Sequence, residues 1–247
     1  MAAVDEITTR LGELADPVRA EREKRYLKSD LRHLGVGLPA LRGVAVAAAK
    51  GLDRERTLAL AEELWHEPLH ERRMAAIEVL IRNTPLLTAA DLAVAERLIR
   101  ASHTWAYVDA LAEKVVGGLV TRYPALATTL DAWVGDENLW IRRTSLLALL
   151  PGIRSGGPDL DRLSRYGDAL IEEREFFIRK ALGWVLRELA KSEPAWVTAW
   201  VRDRVAVISG VTIREAVRHL PEKDRDDLLA AYRRLSARTT LSGDRVH

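Results

Sequence analysis

Apolar residues recur along almost the whole chain at the three- and four-residue spacing of one helix face. Pro, Gly, Asp and Asn fall between the periodic stretches. This pattern predicts helices over 4–15, 17–28, 39–50, 53–65, 69–83, 88–102, 104–123, 125–135, 138–150, 159–173, 175–192, 194–208, 211–219 and 222–236. Several carry start signals: Asp53 before Arg54, Thr88 ahead of Asp91, Asp159 before Leu160, and Pro194 in a first turn. Runs of β-branched and aromatic residues, which would mark strands, are scarce. Short links between helices suit stacked antiparallel pairs in an all-α fold.

The helices also repeat. Ile141-Arg142-Arg143 opens one helix, Ile178-Arg179-Lys180 lies near the start of another 37 residues later, and Ile213-Arg214-Glu215 follows after 35 more. Counting back, Ala106 lies 35 residues before Ile141, and Glu71-Arg72-Arg73 begins another 35 before that. Each is followed by an Ala/Leu-rich helical stretch. A spacing of 35–37 residues indicates helix-pair repeats of the HEAT or armadillo kind, slightly short for the commonest of them. The expected architecture is a single HEAT-like α-solenoid domain over 1–236, with the polar stretch 237–247 frayed. In a solenoid, equivalent helices line one face, usually the concave one, so the basic pairs would stack into a ladder. One reading has these pairs bridging to neighbours such as Glu78 or Glu188. The other makes them a basic, concave, anion-binding face. Four basic pairs or near-pairs at one repeat phase favour the second.

Composition changes this picture little. Apolar residues make up 48% of the 247 and charged residues 30%, an ordinary globular balance. The absence of cysteine excludes disulfides and thiolate metal sites, and suits an intracellular protein. The N-terminus lacks a signal peptide's basic and apolar regions, and no apolar run approaches the ~18–20 residues that span a bilayer, so a cytoplasmic location with no membrane partner is expected. The net charge of +2 does not announce a nucleic-acid binder, but 31 of the 38 basic residues are Arg, which favours bidentate phosphate contact. GC-rich coding also yields Arg, so position has to carry the argument.

Three segments carry candidate chemistry. In Thr104-Trp105-Ala106-Tyr107-Val108-Asp109, Trp105 and Asp109 are four apart and share a helix face. The second is Asn138-Leu139-Trp140-Ile141-Arg142-Arg143. The third is Glu175-Phe176-Phe177-Ile178-Arg179-Lys180-Ala181-Leu182-Gly183-Trp184-Val185-Leu186-Arg187-Glu188. With Tyr26-Leu27-Lys28-Ser29, Leu34-Gly35-Val36 and Arg214-Glu215-Ala216, they resemble the AlkD-like alkylpurine DNA glycosylases, in the same order from about residue 20 to about residue 220. The third segment is the most specific.

The resemblance implies HEAT-like repeats around double-stranded DNA. It also implies hydrolysis of the N-glycosidic bond of cationic N3- and N7-alkylpurines, with Asp109, Trp105 and Trp184 catalytic and Arg143 on a phosphate. Arg142, Arg179, Lys180, Arg187, Arg214, Tyr26 and Phe177 are the further candidate DNA contacts. Arg142 and Arg179 stand where glutamine is common in the family, and Gly37 where a polar residue can reach the minor groove.

A cationic purine is already a good leaving group. No general acid is then required, and no cofactor or metal. Asp109 would stabilise the developing oxocarbenium charge and orient a water, and the tryptophans would offer π-faces to the cationic nucleotide. Lys114 lies five positions past Asp109, about 140° round the helix, so a monofunctional glycosylase without lyase activity is expected. The extra basic charge raises excision of bulky natural-product adducts, as in self-resistance, as a further expectation. The alternative is a non-catalytic helical-repeat scaffold for a protein partner or damaged DNA. A monomer is the default, with no protein partner implied.

His66 and His70 have zinc-binding spacing, but Pro68 lies between them and no third ligand follows. His33, His103 and His219 read as isolated. Ser155-Gly156-Gly157-Pro158 reads as a loop, Glu172-Glu173-Arg174-Glu175 as a solvated helix end, and Trp133, Trp196 and Trp200 as packing residues.

Overall fold

The residues that signal helix starts build them. Asp53 accepts a hydrogen bond from the Arg56 amide at 2.8 Å, and Asp159 accepts one from the Arg162 amide at 2.9 Å. Thr88 and Asp91 form a reciprocal capping box. The structure is a computed structural model describing the backbone of residues 2–243 and the side chains of residues 3–237. Among the described residues it is helical, with no strand; one isolated parallel bridge joins Arg32 and Leu69.

Contacts group the helices into two compact units, one ending at Leu126 and the other beginning at Ala127, where the repeat alone suggests one domain over 1–236. The first unit holds α1 (Ala2–Glu13), α2 (Pro17–Leu27), α3 (Leu38–Ala49), α4 (Arg54–His66), α5 (His70–Arg82), α6 (Leu92–Arg100), α7 (Trp105–Ala110) and α8 (Gly117–Arg122). A π-helical turn, Leu111–Val116, joins α7 to α8. The second unit holds α9 (Ala127–Trp133), α10 (Leu139–Leu147), α11 (Leu150–Arg154), α12 (Leu160–Leu170), α13 (Phe176–Leu189), α14 (Pro194–Asp203), α15 (Gly210–Ala216) and α16 (Glu222–Gly243).

Three boundaries differ from the pattern. The helix expected over 138–150 ends at Leu147, and α11 starts anew with Pro151 in its first turn, because proline cannot donate within a helix interior. The expected 104–123 helix is continuous but contains the π turn. The backbone of α16 stays helical past 236 to Gly243; residues 244–247, part of the expected frayed stretch, lie outside the described residues.

Within the first unit α5 packs on α3 and α4, and within the second α13 packs on α10 and α15. Leu41, Leu64, Ile77, Leu80 and Leu111 fill the first core, and Ile141, Leu146, Leu163, Val185, Val197 and Ile213 the second. Neighbouring repeats are also tied by polar bonds whose sequence separation is the repeat length. Arg42 of α3 holds Glu78 of α5, 36 residues on, in a bidentate pair at 2.8 and 2.9 Å. Arg54 holds Asp91, 37 on, at 2.5 and 2.8 Å. In the second unit Asp131 accepts from Tyr166, 35 on, at 2.8 Å and from Arg162 at 3.0 Å. Asp168 accepts from Arg204, 36 on, at 2.5 Å. Glu78 thus pairs with Arg42 and Glu188 with Arg154 and Lys191, not with the basic pairs at the helix starts.

One loop depends on the same device. The buried Glu71 carboxylate accepts from the amides of Leu34, Gly35 and Val36 at 2.9, 2.7 and 3.3 Å. Gly35 has φ +79°, and a Cβ there would lie 2.1 Å from the Asp16 carbonyl oxygen. We expect Gly35→Ala to lower unfolding stability by about 2–4 kcal/mol, from the left-handed backbone plus overpacking. Urea denaturation checks this, and a change below about 0.5 kcal/mol would contradict it.

Candidate functional site

In the first unit the site begins where α7 begins. Thr104 caps the helix by accepting from the Ala106 amide. Trp105 follows at once, half-buried, with Asp109 one turn along and also half-buried. Tyr26, 72% exposed at the end of α2, meets Trp105 edge-on, with ring centroids 5.9 Å apart. Lys28, in the left-handed conformation at φ 49°, terminates α2 just beyond it. Tyr26 and Trp105 line a cleft of about 280 Å³ with Arg19, Glu23, Leu41 and His70.

Under this cleft lies a group that sequence reading left apart. The Arg32–Leu69 bridge brings His33 onto His70, and their rings stack at 4.3 Å with 9° between planes. His33 is therefore not isolated, because backbone pairing crosses the gap between α2 and α5. His70 Nδ1 and the fully buried Tyr107 hydroxyl share a 2.7 Å hydrogen bond, 37 residues apart. Burial, reinforced by the His33 charge, pushes the His70 pKa down to about 3, and burial also pushes the Tyr107 phenol up. His66 ends α4 while His70 opens α5, so the zinc-like spacing falls across a break. Glu23, His33 and Glu71 place ligand atoms within 4.8 Å of one another. Glu71 is already occupied by three amides and Glu23 by Arg19 at 2.6 Å, so both carboxylates already serve the fold.

Past Ala110 the α-helical arithmetic fails, because the π turn adds a residue. Lys114 does not sit 140° round a regular helix from Asp109; it lies in the π turn, ion-paired with Glu113. π turns are frequent at functional sites, and this one follows Asp109 by two residues.

The second unit presents aromatic and basic residues at two equivalent helix starts, those of α10 and α13. Asn138 caps α10, accepting from the Trp140 amide at 2.8 Å. Trp140 packs on Phe177 at 5.2 Å, and Phe177 on Phe176, which is 56% exposed, at 5.5 Å. Arg143 is only 3% exposed; it donates to the Phe177 carbonyl 34 residues on and lies 6.0 Å over that ring. Arg142 donates to the carbonyls of Asp136 and Glu137 and pairs with Glu173 at 2.7 Å. Arg179 donates to the Glu173 carbonyl at 2.5 Å. Glu172, Arg174 and Glu175 are exposed as expected of a solvated helix end, while the half-buried Glu173 anchors Arg142 and Arg179. Trp184 is half-buried, between Lys180 and Arg187 on one face of α13, and Arg214 is exposed. Trp133 and Trp200 are buried as expected, while Trp196 is half-buried and stacks on Trp200 at 6.4 Å. Ser155–Pro158 is the expected loop between α11 and α12.

Helix pairs bonded to their neighbours at a fixed separation define a class of helical-repeat proteins, and solved structures share this fold. A structure described as a predicted DNA alkylation repair enzyme from Enterococcus faecalis aligns with TM-score 0.77 at 23% identity, covering 84% of this chain and 97% of its own. AlkD2 from Streptococcus mutans aligns with TM-score 0.58 at 19% identity over 81% and 97%. The smu.31 protein of Streptococcus mutans UA159 aligns with TM-score 0.58 at 18% over 82% and 98%. Family assignment comes from the sequence: the pattern of the DNA alkylation repair enzyme family matches residues 7–220, and the chain belongs to that family. Among curated protein sequences none matches it. Among the described residues, no helix is long and apolar enough to cross a membrane.

The buried His70 makes a pH prediction. Its folded pKa lies below the ordinary 6.5, so the unfolded chain takes up the proton first. The stability present above pH 6.5 is lost as pH falls toward 3, at about 1.4 kcal/mol per pH unit for this group. His33, lowered by burial against the opposing pull of Glu71 and Glu23, adds in the same direction. Urea unfolding of wild type is expected to weaken between pH 6.5 and 5. His70→Gln, which retains a partner for Tyr107, is expected to flatten that slope; equal slopes would refute the assignment.

Proposed function

We propose that this chain is a monofunctional DNA glycosylase, hydrolysing the N-glycosidic bond of cationic N3- or N7-alkylated purines in duplex DNA. The observation that carries this reading is the start of α7. There Trp105 and Asp109 share one face, Tyr26 stands edge-on to the indole, and a cleft opens beside them. Family membership supports a role in DNA alkylation repair. It also disfavours the alternative of a scaffold for a protein partner, which would have no need of a carboxylate at this position.

In the proposed reaction the bond from C1′ to the purine nitrogen breaks and its electron pair leaves with the base. That base is already cationic, so it departs neutral without a proton donor. Asp109 stabilises the positive charge that develops on the deoxyribose and orients a water toward C1′. The water oxygen forms the new bond, and its proton passes through the carboxylate to solvent. Trp105 offers a π-face to the cationic nucleotide, about 0.5–2 kcal/mol, and Trp184 is the aromatic residue that the second unit offers to DNA. Lys114 is ion-paired with Glu113 in the π turn, a contact that argues against a Schiff-base lyase step.

The DNA contacts divide by burial. Arg143, Arg142 and Arg179 already hold carbonyls or carboxylates of the protein, and we assign them to shaping the aromatic helix starts around Phe177 as well as to a nearby phosphate. Lys180 (42% side-chain exposure) and the exposed Arg214 offer charge to a phosphate more directly.

The test is release of 3-methyladenine and 7-methylguanine from methylated duplex DNA. Wild type is expected to release base, and Asp109→Asn to lose about 10²–10⁴-fold in rate with its helical circular dichroism unchanged. A folded wild type that binds DNA but releases neither base nor a bulkier N7 adduct would overturn the proposal.

A further inference from the structure

The strongest unassigned feature is a buried carboxylate beside Trp184. Glu215, on α15, has only 4% side-chain exposure, yet three cations converge on it. Lys180 pairs with Oε1, Arg187 with Oε2 at 2.5 Å, and Arg218 with Oε1 at 3.3 Å. Lys180 and Arg187 lie four residues before and three after Trp184, so all three share one face of α13.

We infer that Glu215 is a positioning residue: from the neighbouring repeat it pins Lys180 and Arg187 on either side of Trp184, forming a cationic collar for a DNA phosphate next to that indole. The inference rests on DNA being the ligand of the proposed function.

Three local features build the collar. Gly183, beside Trp184, lets α15 approach α13: a Cβ there would lie 2.7 Å from Glu215 Cβ and 2.9 Å from the Thr212 carbonyl oxygen. Thr212 donates its hydroxyl to the Arg179 carbonyl at 3.1 Å, fixing the two helices in register. Ser209 caps α15 through the Thr212 amide. Burial alone would push the Glu215 pKa up, but Lys180, Arg187 and Arg218 outweigh it and hold the carboxyl below its ordinary range. It is therefore an anion at neutral pH.

Three cations against one carboxylate leave a local excess of two positive charges. Without Glu215 the cations would repel one another and spread into solvent. With it, they are ordered on either side of Trp184 before any ligand arrives, so a bound phosphate is held in one position relative to that indole. Side-chain exposures of 42% for Lys180, 24% for Arg187 and 57% for Arg218 leave each cation within reach of an incoming anion.

The experiment measures affinity for an undamaged duplex by fluorescence anisotropy over a range of salt, alongside base release. Lys180→Gln and Arg187→Gln are each expected to shrink the slope of log K against log salt by ~0.9, one phosphate contact apiece. Glu215→Gln is expected to slow base release at least tenfold while affinity at low salt holds or rises, since it adds a positive charge. A purely structural Glu215 would instead lower affinity and release together. Should Glu215→Gln fail to fold, Lys180→Gln and Arg187→Gln decide through the salt slope. Unchanged slopes in both, or a folded Glu215→Gln with wild-type release, would overturn the inference. The slopes are read on undamaged DNA, so a wild type without base release would refute the glycosylase reading and leave the collar to be judged by them alone.

Discussion

A helix pair that cannot bury its own apolar face must lean on the next pair, and whatever polar group is caught between them must find its partner there too. That constraint organises this protein. Glu78 is answered by Arg42, Asp91 by Arg54, Glu215 by Lys180 and Arg187, and the Arg143 guanidinium by the Phe177 carbonyl, all from a neighbouring repeat. Leaving such a group unpaired would cost more than the pair contributes, so these bonds set the register between repeats more than they add stability.

The same constraint explains why the cations at the helix starts are less available than their positions suggest. Basic pairs at equivalent helix starts lie beside both the turn that precedes their own helix and the next repeat, whose carbonyls and carboxylates claim their donors. Arg142 and Arg179 converge on the turn at Glu173, and Arg143 holds the aromatic start of α13. Positive charge stays more open at Lys180 and Arg214. A helical-repeat protein of the DNA alkylation repair family thus uses arginines twice, to join repeats and to shape the surface beside its aromatic residues.

Most of the local structure is legible in the residues. Asp53, Thr88 and Asp159 cap the helices they precede, because capping is a matter of a side-chain oxygen within three residues of an amide. Trp105 and Asp109 share a face because four residues is one turn. The stacked His33 and His70 were not legible: neither lies in a motif, and a single bridge between Arg32 and Leu69 sets them together. Glu215 was visible only as part of Arg214-Glu215-Ala216; nothing local shows that its carboxylate turns into α13.

The sequence by itself determined the all-helical class, the 35–37-residue period, the helix starts and the identity of the aromatic and acidic candidates. Each of these follows from spacing along the chain or from short-range hydrogen bonding. Only the tertiary structure decided which arginines are buried and which carboxylate gathers the cations around Trp184. Those outcomes depend on groups about 35 residues apart competing for the same donors, and no local pattern records which of them wins.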